Sequence, residues 1–489
     1  MVELPIAGGF YISDSLPISA QECTNWYVNI PQTSGALGAA GLYGTPGIEL
    51  LTTTGELQQQ NRGAHTKNDI PYFVNGDALY SLDRTFDIDG NEVFSTTTLG
   101  SIEGEGLVSM ADNGTQLMIL VPGGKGYIYD ESSGTPFLEI TDLGFTANGA
   151  PQIVAFVDSY FLCTTDDKKF IVSAPNDGLS WNALDFGSAE ADPDQIVAPV
   201  IFRNQVYILG TETAESFQSI QTSGFPFQRI SGAVFQKGLF APFGVVNTDN
   251  SFMWIGGGVN ESPAIWQSNG GSPVKVSTTA IDTAISQFTQ EELQQSFGFS
   301  YAQDGAYFVG FSFPTRSFIY DTITQLWHER KSQLTDPTGK EVTVRWRVNS
   351  LTSGYGRVLV GDSEDGRIGS VSRDIFTEYG RNIIRTVATV PFTDQGSSVF
   401  VPKLELTVES GVSDRNEKEA VFRLSTSRDG KTFSDERIRP IGKTGEYEQR
   451  VIWNRNGRYS RMIIFKFVMS DPVKPVIIKL EADIKGGRV

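Results

Sequence analysis

A general base at neutral pH calls for an imidazole or a shifted carboxylate, and only two histidines, His65 and His328, occur among 489 residues. Each stands near aromatic residues and reads as a structural or surface side chain. No H-E-x-x-H, G-x-S-x-G, P-loop or G-x-G-x-x-G pattern accompanies them. Two widely separated cysteines, Cys23 and Cys163, with two histidines do not supply a zinc pattern. Carboxylates are plentiful. Glu190, Asp192 and Asp194 in EADPDQ, and Asp362, Glu364 and Asp365 in DSEDGR, could offer oxygens to a hard cation. Neither cluster has the EF-hand spacing, and loops of acidic proteins commonly look this way. No catalytic residue, metal or cofactor is expected.

The most distinctive stretch is VIWNRNGRYSRMIIFKFV, Val451 to Val468. It sets Arg455, Arg458 and Arg461 beside Trp453. Planar guanidinium groups pair with carboxylates or phosphates, so an acidic protein and a nucleic acid are both open as partners. Charge separates them. The chain carries 39 Lys+Arg against 57 Asp+Glu, a net of −18. From Arg381 to the end the balance is 20 against 14, or +6, which leaves 19 against 43, or −24, for residues 1–380. So acidic a body repels nucleic acid over about 8 Å at physiological salt. The three arginines are assigned to a protein–protein contact with Trp453 packed behind them, and direct DNA binding stays as the alternative.

These residues need elements to hold them. Aromatic residues make up 11% of the chain and glycines number 51, the balance of many tight turns between aromatic-rich strands. From about Gly63 a unit recurs: a β-rich run, a turn, a second run. IPYFVNGDALYSLD turns at Asn75-Gly76, QLMILVPGGKGYIYD at Pro122-Gly123-Gly124, QIVAFVDSYFLCTTDDKKFIVS at Asp158-Ser159 and IVAPVIFRNQVYILGT at Arg203-Asn204. Spacings of roughly 40 to 55 residues suit four-stranded propeller blades. Six or seven units fit, and about six blades are expected over 61–378. STTAIDTAISQFTQEEL predicts one amphipathic helix near 278–295, with Thr289 and Glu292 as a capping box.

Residues 379–489 read as a β-sandwich, with turns at Arg428-Asp429-Gly430 and Asn456-Gly457, the second placing the arginine stretch on a hairpin. Residues 1–60 read as an irregular segment belonging to the same platform. Its glycines at 35, 38, 41, 44 and 47 form too short and too Pro-poor a run for collagen. The start, MVELPIAGGFYISDS, has no basic region before an apolar run, so no signal peptide is expected. No apolar stretch of about 18 residues exists, so membrane insertion is not expected.

SAPNDGLSW (Ser173 to Trp181) and STSRDGKTF (Ser425 to Phe433) resemble the Asp-box hairpins of propeller glycosidases and sialidases, one residue off the S-x-D-x-G-x-T-W spacing. Such boxes are folding elements remote from catalysis. A glycan- or receptor-binding propeller is therefore an alternative reading, and a glycoside-acting enzyme a further one.

Three other stretches resemble one family. QECTNWYVNIP with LYGTPGIELL, VFQKGLFAPFGVVNTDNSFMWIGG with the helix after it, and RVIWNRNGRYSRMIIFKFVMSDPV are similar, in this order, to segments of the tail hub, or packaged-DNA stabilisation, proteins of short-tailed phages. Trp26, Tyr27, Pro46, Gly47, Gln236, Lys237 and Gly238 carry the first two as structural motif residues. The resemblance implies a propeller-like body with a β-domain next to an adaptor. It implies a non-enzymatic homo-hexameric nozzle in the virion tail, assembled in the host cytoplasm. Its implied partners are a portal-adaptor ring, a needle or plug, tailspikes or fibres, and double-stranded DNA in transit without sequence recognition.

Overall fold

The β-branched and aromatic runs fold as hairpins because their turns tolerate left-handed backbone. Asp158 and Ser159 have φ of 46° and 76°, and Arg203 and Asn204 have 50° and 59°, the twist that joins adjacent antiparallel strands without splaying them. The computed structural model describes all residues except 34, 56–58, 190–193, 221–223, 271, 304, 394–397, 413–417 and 488–489. Glu190 and Asp192 of the first acidic cluster thus lie outside the described residues.

Six consecutive antiparallel sheets cover 61–101, 109–139, 151–188, 196–235, 238–275 and 297–335. Their innermost strands begin with Asn61–Lys67 and end with Phe297–Gln303, each against the next around an axis. A composite sheet closes the ring: three strands within 348–372 take Gly47–Thr53 as their fourth. The propeller-like body of about six blades holds for the consecutive sheets. The closing sheet is a further member that a local repeat does not reveal, because its fourth strand precedes the whole ring. Apolar clusters fill the gaps between blades, as where Tyr72, Leu79, Leu117 and Tyr127 meet.

The C-terminal part is a sandwich of two sheets. One contains Ser398–Val408, Val451–Asn454, Val476–Gly487, Gly41–Gly44 and Trp26–Asn29. The other contains Cys23–Thr24, Arg385–Ala388, Ile464–Met469, Val421–Ser427 and Arg437–Pro440. Between them Trp26 stacks on Phe422, ring centroids 6.3 Å apart, and Trp453 meets Phe467 at 5.6 Å. The second sheet does not stop at the sandwich. Thr24 pairs in parallel with Glu329 on the outer strand of the 297–335 blade, so one ten-stranded sheet runs from propeller to sandwich. The largest apolar cluster likewise joins Phe311, Phe318 and Ile281 to Trp26, Trp453 and Phe465.

Three expectations need correction. Residues 1–60 are not irregular: they contribute strands to both sandwich sheets and to the closing sheet. Those strands are two to seven residues long and glycine-rich, so they show little alternation. The single helix is two, Thr279–Ile285 and Gln290–Gln294. Thr289 restarts the chain with a complete capping box, its hydroxyl accepting from the Glu292 amide at 3.2 Å while Glu292 accepts from the Thr289 amide at 2.8 Å. Finally, Asn456-Gly457 does not turn a hairpin. Val451–Asn454 and Arg458–Tyr459 pair in the same direction along Ser398–Val408, separated by a bulge. No helix among the described residues is long and apolar enough to cross a membrane.

Candidate functional site

The bulge determines how the arginines are displayed. Arg455 takes φ of 58° and Gly457 93°, while the amides of Arg455 and Asn456 still reach the carbonyls of Pro402 (2.7 Å) and Val401 (3.0 Å). An extra residue in one strand of a pair re-aims its side chains without breaking the sheet. Trp453 is fully buried, and its indole N–H donates to the Arg437 carbonyl at 2.8 Å. Arg455, Arg458 and Arg461 are all exposed. Trp453 is the anchor, and the arginines are the surface.

Further arginines converge on this edge from Arg437–Pro440 and from the turn that follows Val421–Ser427. Arg437 donates to Asn456 Oδ1 at 2.6 Å, and Arg439 to the Ile452 carbonyl at 2.8 Å, so both clamp the bulged strand across the seam between the sheets. Arg428 lies 5.3 Å from the Tyr459 ring centroid, and Arg458 5.6 Å from that of Phe400 while donating to Ser398 Oγ at 2.8 Å. Among the described residues, none of Arg428, Arg437, Arg439, Arg455, Arg458 and Arg461 has a carboxylate within ion-pair distance. Burial lowers the Arg437 pKa. The edge is a strip of guanidinium groups on strands and the turns beside them, suited to charge-assisted bonds with carboxylates. Arg428, Arg437 and Arg439 were missed from sequence. The alternation Arg437, Ile438, Arg439 was the available signal, but which strand it faces depends on contacts across the two sheets.

The remaining singled-out residues fall elsewhere in the fold. Tyr27 faces away from Trp26 and meets Phe308 edge-on at 5.4 Å. The Pro46 carbonyl accepts from buried Arg330 at 2.9 Å. Gly47 opens the ring-closing strand, where a Cβ would lie 2.3 Å from the Thr377 carbonyl oxygen. Gln236 is exposed. Lys237 pairs with Glu261 at 2.5 Å and lies 4.6 Å from the Trp266 ring centroid. Gly238 admits no side chain, since a Cβ would meet Thr211 backbone at 2.1 Å.

A buried charged cluster behind these motifs was not read from sequence. Arg330 lies 3.7 Å from the Trp346 ring centroid and 3.8 Å from Glu378, whose carboxylate accepts from the Trp346 indole at 3.0 Å. Burial raises the Glu378 pKa, with Arg330 opposing. Fully buried Arg385 donates to the Thr45 carbonyl at 3.4 Å, and burial lowers it to about 9. These groups sit where blade, closing sheet and sandwich meet, and their partners lie hundreds of positions apart in the chain.

The candidate catalytic and metal groups are also engaged. His65 and Asp112 bond at 2.6 Å between the first two blades, and that bond holds the Asp112 carboxyl below the usual range. His328 is buried against Phe308 and Tyr27. Asp362 holds Arg347 at 2.6 Å, and Asp365 holds Arg367 at 2.7 Å. Asp429 knits its own turn through the amides of Lys431 and Thr432, both at 2.8 Å, which depresses its pKa.

Comparison with known proteins gives these parts a family. Residues 2–376 match the family described as bacteriophage P22 Gp10, beta-propeller, and residues 384–485 match bacteriophage P22 Gp10, beta-sandwich. The chain belongs to the P22 Gp10 family. Among curated proteins, the tail hub protein gp10 of Salmonella phage P22 is 23% identical over 380 residues, covering 75% of this chain and 78% of that one. Likeness to solved structures is loose. The WD40 beta propeller domain of Doa1 has a TM-score of 0.39 and 13% identity, over 67% of this chain and 98% of that one. The extracellular domain of the putative hybrid two component system BT4673 from B. thetaiotaomicron has 0.40 and 10%, over 74% and 43%. Gp10-family membership makes this chain a structural component of a phage tail hub, carried in the virion tail.

Proposed function

We propose that this tail hub chain forms a homo-hexameric nozzle that docks on the portal-adaptor ring through the arginine edge of its sandwich. The sandwich built from strands within 2–44 and 385–487 makes the platform, and the propeller body, closed by Gly47–Thr53, extends away from the adaptor toward a needle or plug and tailspikes or fibres. Copies closed edge to edge retain packaged double-stranded DNA and form the channel by which it leaves. The hub assembles in the host cytoplasm.

One observation carries this reading: the guanidinium strip around Arg455, Arg458 and Arg461, without ion-pair partners among the described residues, lies in a C-terminal part of net +6, while the remaining 380 residues sum to −24. Opposite fields between neighbouring rings steer docking and fix orientation. An acidic body repeated around an axis repels phosphates, so duplex slides past without sticking.

The test is joint replacement of Arg455, Arg458 and Arg461 by alanine. All three are exposed, so thermal stability should stay within about 0.5 kcal/mol. Co-sedimentation with the adaptor ring should be lost, and docking by the unmodified chain should weaken steeply with salt. Unchanged docking by the triple variant would overturn the proposal. Intact docking with lost DNA retention would instead favour direct DNA contact.

A further inference from the structure

The ring has an opening at the end where its innermost strands begin, a cavity of about 910 Å³. That is within the size range of small-molecule sites. Its wall includes Asn61 and Arg62 from the first blade, Gln152 from the third, Phe297 from the sixth, and Arg345 and Asn349 at the entry to the closing sheet.

Two arginines on this wall differ from most of those in the propeller. Arg316, Arg347, Arg357 and Arg367 each hold a carboxylate. Arg62 and Arg345 hold none among the described residues. Arg62 is 6% exposed. It donates to the carbonyls of Gly106 (2.7 Å) and Gly76 (3.0 Å), and its Nη2 has no partner. Arg345 donates to the carbonyls of Trp346 (2.9 Å) and Val348 (3.1 Å) and to Asn349 Oδ1 (2.6 Å). Carbonyl oxygens satisfy donors but leave buried Arg62 and half-buried Arg345 without a direct ion-pair partner.

The two cations share one side of the cavity. Asn349 accepts from Arg345 and donates through Nδ2 to the Asn61 carbonyl, next to Arg62, at 2.8 Å. Amides surround them, and amides both donate to and accept from hydroxyl groups. Phe297 adds an apolar surface on the same wall.

We propose that this opening binds an acidic saccharide. The carboxylate of a sugar acid meets the Arg62–Arg345 side, its hydroxyls bond Gln152 and Asn349, and its C–H face lies on Phe297. Exposed Glu105 on the rim opposes any anion, so the expected affinity is modest, about 0.1–1 mM. The inference stands apart from hexamer formation and adaptor docking.

The full chain would be titrated with galacturonic acid, N-acetylneuraminic acid and neutral galactose, using calorimetry and ligand-observed NMR. At least one acidic sugar should bind saturably and at least about tenfold tighter than galactose. Arg345→Gln should abolish that preference. Should that variant fail to fold, Gln152→Leu, which forfeits one bond to the Ala150 carbonyl, should weaken acidic-sugar binding about tenfold with melting unchanged. No saturable binding of either acid, equal affinity for galactose, or binding indifferent to the folded variants would overturn the proposal.

Discussion

His328 shows how a lone histidine acts on stability without doing chemistry. Burial first, and Arg330 second, push its pKa from 6.5 to about 3. The folded chain therefore holds it neutral while the unfolded chain protonates it below about pH 6.5. Between those limits the unfolded state binds about one more proton, so stability falls by about 1.4 kcal/mol per pH unit on acidification. His328→Leu keeps a similar volume, costs below about 1.5 kcal/mol at pH 7, and should remove that slope in denaturant titrations from pH 6 to 4. An unchanged slope would mean that the imidazole is not held neutral. The two histidines were legible from sequence as structural or surface groups. Burial of His328 depends on Phe308 and Tyr27, which come from other strands, and no local pattern encodes that.

At the scale of elements, turn chemistry and periodicity located most strands because hairpin signals are local. Asp158-Ser159 and Arg203-Asn204 turn where expected. Thr289 and Glu292 form the expected capping box. Asn456-Gly457 misled because left-handed backbone serves a bulge as well as a turn, and only the partner strand Ser398–Val408 distinguishes them. That bulge is clamped by Arg437 and Arg439. Arg437→Lys keeps the charge but loses the planar fork that reaches Asn456 Oδ1. The expected outcome is faster amide exchange across 451–459 and weaker adaptor docking at unchanged net charge. If exchange and docking both match the unmodified chain, the clamp is dispensable.

At the scale of the whole molecule, propeller and sandwich share a ten-stranded sheet and an apolar cluster. The coupling depends on residues 1–60, which thread both sandwich sheets before closing the ring with Gly47–Thr53. Blade period and sandwich texture were visible in sequence. The long-range pairings were not, since Glu329 with Thr24 and Val371 with Ile48 join distant parts of the chain. The uneven charge was legible at once, whereas its concentration on one sandwich edge required the bulge and the neighbouring strands.

Electron cryomicroscopy of the chain mixed with its adaptor ring tests the central claim most directly. The expected map has six copies around a continuous axial channel, with Arg455, Arg458 and Arg461 facing acidic side chains of the adaptor. Single copies bound away from the axis, or the propeller rather than the sandwich against the adaptor, would contradict it.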